Sequence, residues 1–237
     1  MRVALLMALM VGSAPCFASA EPRTVPAITI EATKALGDSY GPFASDGSED
    51  ATSGDVRIRY KHRKYAIEYR YGRSAYLTDN DGPGSRTVFP TFAGGTASVP
   101  FFSATETRQE LRASFQVTKS FAAGVGYFRA ETNYGYPDLS GIGVGIGGAG
   151  TRGRLSFDSS LFYYPNVSGR YRSFTLRYRV LSSDFEIGYR IVQPALVLVA
   201  GYRNEYREPF TLPYSFAQVR SSPYVGLRET FGQPDGM

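Results

Sequence analysis

Six stretches of this chain alternate apolar and polar side chains with a period of two, the spacing at which successive residues of an extended strand fall on opposite faces. Val56, Ile58 and Tyr60 alternate with Arg57, Arg59 and Lys61; Tyr65, Ile67, Tyr69 and Tyr71 alternate with Ala66, Glu68 and Arg70. Leu111, Ala113, Phe115 and Val117 stand against Glu110, Arg112, Ser114 and Gln116, and Leu155, Phe157, Ser159, Leu161 and Tyr163 against Arg154, Ser156, Asp158 and Ser160. Phe174, Leu176, Tyr178 and Val180 then alternate with Thr175, Arg177 and Arg179, and Phe185, Ile187, Tyr189 and Ile191 with Glu186, Gly188 and Arg190. Each pattern requires a strand with one apolar and one wet face.

Any antiparallel sheet with one solvated face meets that requirement, so the connections carry the next step. Short turns are expected at 61–64, 118–120, 181–184 and 193–194, while 34–53, 78–105, 135–151 and 208–217 are long and rich in Gly, Pro, Ser and Asp. Short turns at one end and long loops at the other are the layout of a transmembrane β-barrel. The expected fold is therefore all-β: a single antiparallel barrel with strands near 24–33, 54–61, 64–77, 106–118, 121–134, 152–164, 170–181, 184–193, 195–207 and 218–231. That makes about ten strands, with eight or twelve if one hairpin is dropped or the 141–149 stretch is a strand. The outward face of 121–134 stays open, because Arg129 and Glu131 share a parity with Val125 and Tyr127.

The N-terminus fits an exported chain. Arg2, an apolar run from Val3 to Val11 and Ala18-Ser19-Ala20 form the pattern of a cleavable signal peptide over 1–20, leaving 21–237 as the barrel domain. Pro15 stands where a lipobox before Cys16 would place a small residue, which argues against lipidation. Cleavage after Ala20 removes the only cysteine, so neither disulfides nor thiolate chemistry are expected. Removing Arg2 leaves 25 basic and 21 acidic side chains, a modest excess that points to no nucleic-acid partner. No later segment reaches the roughly 18 apolar residues of a membrane helix. A closed barrel needs none, since it pairs every backbone group between strands.

Tyrosine and phenylalanine make up 14% of the chain, and many lie near expected strand ends, as in the aromatic girdles of membrane barrels. The last expected strand reads Tyr224-Val225-Gly226-Leu227-Arg228-Glu229-Thr230-Phe231. With this closing strand the chain resembles the small bacterial outer-membrane β-barrel proteins, over nearly all of its mature length and as a matter of pattern. The resemblance implies an outer-membrane location, contact with outer-membrane lipid, and Phe231 as the assembly signal read by the barrel assembly machinery.

The polar face is where chemistry would reside. Alternation assigns to the lumen Arg57, Arg59, Glu68, Arg70, Arg108, Glu110, Arg112, Arg154, Asp158, Arg177, Arg179, Glu186, Arg190, Arg203 and Glu205. Arginine suits a confined interior because it stays charged and its planar fork binds carboxylates bidentately. Such a lumen is either a side-chain plug under a structural or surface-interaction role or a narrow path whose positive lining prefers small anions. A soluble periplasmic barrel that binds an apolar ligand would instead point the aliphatic face inward.

No enzyme is expected: the only histidine, His62, sits in the basic turn Lys61-His62-Arg63-Lys64, away from any Ser or Asp motif. Gly143 to Gly148 matches G-x-G-x-x-G but opens no helix, so it reads as a strand or hairpin arm and implies no nucleotide. The acidic stretches Asp79-Asn80-Asp81-Gly82 and Ser45 to Asp50 lack calcium-loop spacing, and Asn166-Val167-Ser168 reads as a turn. No cofactor or metal is expected.

Overall fold

The computed structural model describes residues 26–36, 39–40, 52–77, 86–90, 96–100, 103–133, 138–171, 174–192, 196–209 and 218–232. The expected signal peptide and both acidic stretches lie outside the described residues. Ten long strands form the wall: β1 Ala27–Ala35, β2 Thr52–His62, β3 Tyr65–Leu77, β4 Ser103–Gln116, β5 Phe121–Thr132, β6 Leu139–Arg152, β7 Leu155–Tyr171, β8 Phe174–Val192, β9 Leu196–Pro209 and β10 Gln218–Phe231. Each pairs antiparallel with the next, and β10 returns to β1 from Phe231 opposite Ile28 to Tyr224 opposite Ala35, which closes the barrel. Closure leaves no long sheet edge unpaired. The two-residue strand Ser39–Tyr40 adds to the far end of β10, and Arg86–Pro90 pairs with Thr96–Pro100 in the connection between β3 and β4.

The tight connections after β2, β4, β6 and β8 gather at one end, here the turn end, together with the start of β1 and the close of β10. Arg63 and Gly153 take left-handed backbone conformations in two of these turns, where glycine meets no steric cost. All other connections lie at the opposite loop end.

The barrel has ten strands as expected, but two of them differ from the expected set. The stretch 141–149 is part of β6, and the expected strands 170–181 and 184–193 are one continuous strand, β8. These differences offset each other in the count. Glycine-rich composition suggested a loop for β6, yet its glycines sit against the ring atoms of neighbouring β7: a Cβ on Gly145 would lie 2.5 Å from Phe162, and one on Gly143 2.5 Å from Tyr164. The glycines let two large rings lie flat on the wall. Likewise Ser182-Ser183-Asp184 has turn composition, but Ser182 and Asp184 are buried inside, where the interior is itself polar. Asn166 of the expected turn lies at an irregularity within β7, between Tyr164 and Val167.

The outer face over most of the wall is aliphatic and aromatic. Ile58, Ile67, Leu111, Val144, Ile187 and Leu227 are all exposed, whereas Arg70, Arg108, Glu106 and Glu110 are among the most deeply buried side chains. This reverses the usual distribution of a water-soluble domain, where Arg and Glu are almost never fully buried and large exposed apolar patches are rare. In β5, Val125, Tyr127 and Arg129 all point outward and Phe128 and Ala130 inward, which decides the face the alternation left open.

Candidate functional site

The interior falls into three levels. At the middle, nine arginines meet nine carboxylates among the described residues. Arg57, Arg59, Arg70, Arg108, Arg112, Arg203, Arg207, Arg220 and Arg228 face Glu31, Asp55, Glu68, Glu106, Glu110, Asp158, Asp184, Glu186 and Glu205. Their register follows from the pairing of the strands: Arg57 lies opposite Glu31 on β1 and Arg70 on β3, and Glu68 lies opposite Arg59 and Arg112. Alternate residues on neighbouring strands therefore stack charges of both signs on one face.

Contacts also cross the lumen. Arg57 pairs with Glu31 and reaches Glu186 at 3.0 Å, and Arg59 reaches Asp158 at 2.6 Å and Glu68 at 2.6 Å. Arg70 joins Asp184 at 2.7 Å, Arg108 joins Glu205 at 2.7 Å, and Arg207 bridges Glu205 at 2.6 Å and Glu106 at 2.5 Å. Arg203 ties Asp55 to Asp184. Tyr164 and Tyr224 donate their hydroxyls to Glu110 at 3.0 Å and Asp184 at 2.6 Å. Guanidinium forks satisfy several acceptors each, which is what makes such density tolerable in a confined space. Arg108 Nε and Glu110 Oε1 face each other at 3.5 Å and make no hydrogen bond, one of the few gaps in the mesh.

At the loop end the interior becomes apolar. Phe128, Ala130, Leu139, Phe162, Tyr164, Val167, Leu176, Tyr178 and Val180 form one buried cluster. Arg112 lies over the Phe162 ring at 4.1 Å and Arg207 near the Phe128 ring at 5.7 Å, joining this cluster to the charged level by cation–π contact.

Here the lumen assignment of Arg177 and Arg179 is corrected. Because β8 runs unbroken, the outward parity of Phe185, Ile187 and Tyr189 continues to Arg179 and Arg177, which are exposed, while Leu176, Tyr178 and Val180 point in. An assumed turn at 181–184 shifted the register by one residue, and such a shift exchanges every face.

At the turn end the interior opens into a cavity of about 350 Å³. Arg190 and Arg154 line it, as do Arg57, Arg59, Glu68, Arg112 and Asp158 from the charged level. His62 is half-buried at the end of β2, and Phe231 is exposed at the end of β10 on the outer surface. Among the described residues no cluster of His, Cys, Asp and Glu has the arrangement of a metal site.

Of the other expected lumen residues, Arg57, Arg59, Glu68, Arg70, Arg112, Asp158, Glu186, Arg203 and Glu205 come together in the charged level. Sequence reasoning missed Glu31, Asp55, Glu106, Asp184, Arg207, Arg220 and Arg228. A signal for several was present: Asp55 shares the parity of Arg57, Arg207 that of Arg203, and Arg228 alternates with Val225 and Leu227. Asp184 was hidden by the expected turn.

No family model and no curated protein matches the chain. Among solved structures, it is similar to the outer membrane protease OmpT from Escherichia coli, at 12% identity and a TM-score of 0.36, covering 91% of this chain and 99% of that one. It is similar to Ail, the attachment invasion locus protein of Yersinia pestis, at 10% identity and a TM-score of 0.35, covering 88% and 99%. Neisserial surface protein A matches at 14% identity and a TM-score of 0.32, covering 89% and 99%.

Proposed function

We propose that this chain is an outer-membrane β-barrel with a filled lumen, and that its role is a structural or surface-interaction one exercised at its loop end. The observation that carries the reading is the balance of the interior: nine guanidiniums against nine carboxylates, closed on the loop side by an apolar cluster. A middle level of zero net charge offers no basis for selecting anions at the narrowest part, and paired side chains that bridge the lumen there occupy the path that ions would take. The exposed aliphatic belt supports lipid as the surrounding medium, since its replacement by water would leave an apolar surface without cover. The same belt speaks against a soluble barrel with an apolar ligand inside.

Strands β7 and β8 supply the surface element. They have 17 and 19 residues, against roughly 9–11 needed to cross a bilayer. Their excess lies at the loop end, the end that also carries the hairpin of Arg86–Pro90 and Thr96–Pro100 in the connection between β3 and β4. In this reading the loop end faces the exterior, the barrel assembly machinery reads the closing strand with Phe231, and His62 has no catalytic role.

Planar-bilayer recording of purified, heat-modifiable protein tests the plug directly. Little steady conductance is expected. A steady, anion-selective conductance that shifts toward cations in Arg57→Gln/Arg59→Gln would replace this reading with the pore.

A further inference from the structure

The charge balance of the lumen does not persist to its turn end. The alternation that places Arg59 and Asp158 inward continues along β2 to Lys61 and along β8 to Arg190, and runs on from the starts of β7 and β3 to Arg154 and Lys64 in the adjoining turns; among the described residues, the cavity lining carries no acidic residue beyond Glu68 and Asp158. The cavity there is lined by Lys61, Lys64, Lys119, Arg154 and Arg190, and its two carboxylates, Glu68 and Asp158, are both engaged by Arg59 at 2.6 Å. Lys64 and Arg154 are exposed at the rim of the mouth, where their head groups lie beside outward-facing rings, 6.0 Å from Phe115 and 3.5 Å from the Tyr189 hydroxyl, while Arg190 is half-buried; none of the three has a carboxylate partner among the described residues. Like charges gathered at the mouth of a low-dielectric barrel focus a positive potential into the cavity.

We propose that this turn-end mouth is a binding site for a small soluble anion with several charged groups, of the polyphosphate or phosphorylated-sugar class. The cations stand on different strands and turns around the rim, so an anion with a single charge reaches only part of them, whereas linked phosphates span several. Guanidinium forks suit phosphate oxygens, with the lysines acting as point charges. A volume of about 350 Å³ is within the range of small-molecule pockets. The charged level forms the floor: Arg59 is held by Asp158 and Glu68 and cannot swing out to fill the site. The site lies below the paired section, so the inference goes beyond the surface role and holds for a filled or a conducting lumen.

The test is calorimetric titration of the full barrel, in nanodiscs of zwitterionic lipid, with sodium tripolyphosphate. One saturable site that weakens as salt is added is expected. Arg154→Gln/Arg190→Gln should lower the affinity by about tenfold or more, since two charge-assisted contacts are lost. Lys64→Gln should lower it by a smaller factor, and Arg177→Gln/Arg179→Gln, on the outer surface at the opposite end, should leave it unchanged. Retention of heat-modifiable mobility certifies each variant as folded, and Lys64→Gln alone decides if the double variant does not assemble. No saturable binding by the wild type, equal losses from the two double variants, an affinity unaffected by the turn-end substitutions, or binding only after anionic lipid is added would each overturn the proposal; the last would assign the recognition to headgroups.

Discussion

Strand β8 has opposite polarity in its two halves. From Ser182 to Arg190 its inward residues include Asp184 and Glu186 and its outward ones are Phe185, Ile187 and Tyr189; from Leu176 to Val180 its inward residues are apolar and its outward ones include Arg177 and Arg179. The parity of the backbone never changes, so what inverts is the chemistry written onto it. Other strands invert toward the loop end too: β5 passes from outward Val125 and Tyr127 to outward Arg129, which pairs with Glu131, and Arg179 pairs across the outer surface with Glu208 on neighbouring β9 at 3.4 Å. The lower region has an apolar outer face and ion pairs inside, the arrangement that the proposed lipid setting requires. The upper region is built as an ordinary water-soluble sheet around an apolar core. The level at which they meet, near Leu181 and Tyr127, marks the proposed upper edge of the bilayer.

The largest effect is expected from breaking the lower interior. Glu186→Gln strips one charge from a carboxylate that accepts from Arg57, Arg228 and Tyr224, and Glu205→Leu leaves Arg108 and Arg207 each short of a partner. Removing one member of a buried pair costs about 3–5 kcal/mol. Urea unfolding followed by the loss of heat-modifiable mobility should place the Glu205 variant in that range and the Glu186 variant at its lower end.

The outer face of the same region comes next. Ile187→Arg should cost about 2–4 kcal/mol in lipid, the range for a cation near the bilayer midplane. The upper region predicts a smaller, local effect. Leu176→Ala should cost about 2 kcal/mol at most, the low end for a truncated core residue at the margin of a cluster. Amide exchange should show this loss in β7 and β8 above Tyr164 while the ion-paired level keeps its protection. The smallest effect is expected from Arg177→Leu: an outward position above the belt should change stability by less than about 0.5 kcal/mol. A loss comparable to that of Ile187→Arg would place Arg177 in the wall below the boundary and remove the distinction between the two regions. Surface labelling of a cysteine placed at Thr87 in intact cells checks the orientation, and reactivity only after the outer membrane is opened would invert it.

The sequence by itself determined the class of fold and most of the wall. Period-two alternation in β2, β3, β4 and the lower part of β8 reads directly into outward aliphatics and inward charges, because each side chain there has only two directions and one of them faces an apolar medium. The count of ten followed only because two misreadings offset, the loop expected over 135–151 being mostly β6 and the turn expected at 181–184 being strand. Tertiary structure decided which alternation belongs to which medium. Arg177 and Arg179 have the same local pattern as Arg57 and Arg59, yet they face the opposite way, since a strand carries parity but no record of where lipid ends. It also decided that Ser182-Ser183-Asp184 continues a strand: residues that turn the chain in water are here the acceptors and small polar fillers required by Arg70 and Arg112 across the lumen and by Arg203 on neighbouring β9. Composition cannot distinguish those roles. The partner that makes a buried carboxylate tolerable comes from strands more than a hundred residues away, as Asp184 and Arg70 do, and only closure of the barrel brings the two together.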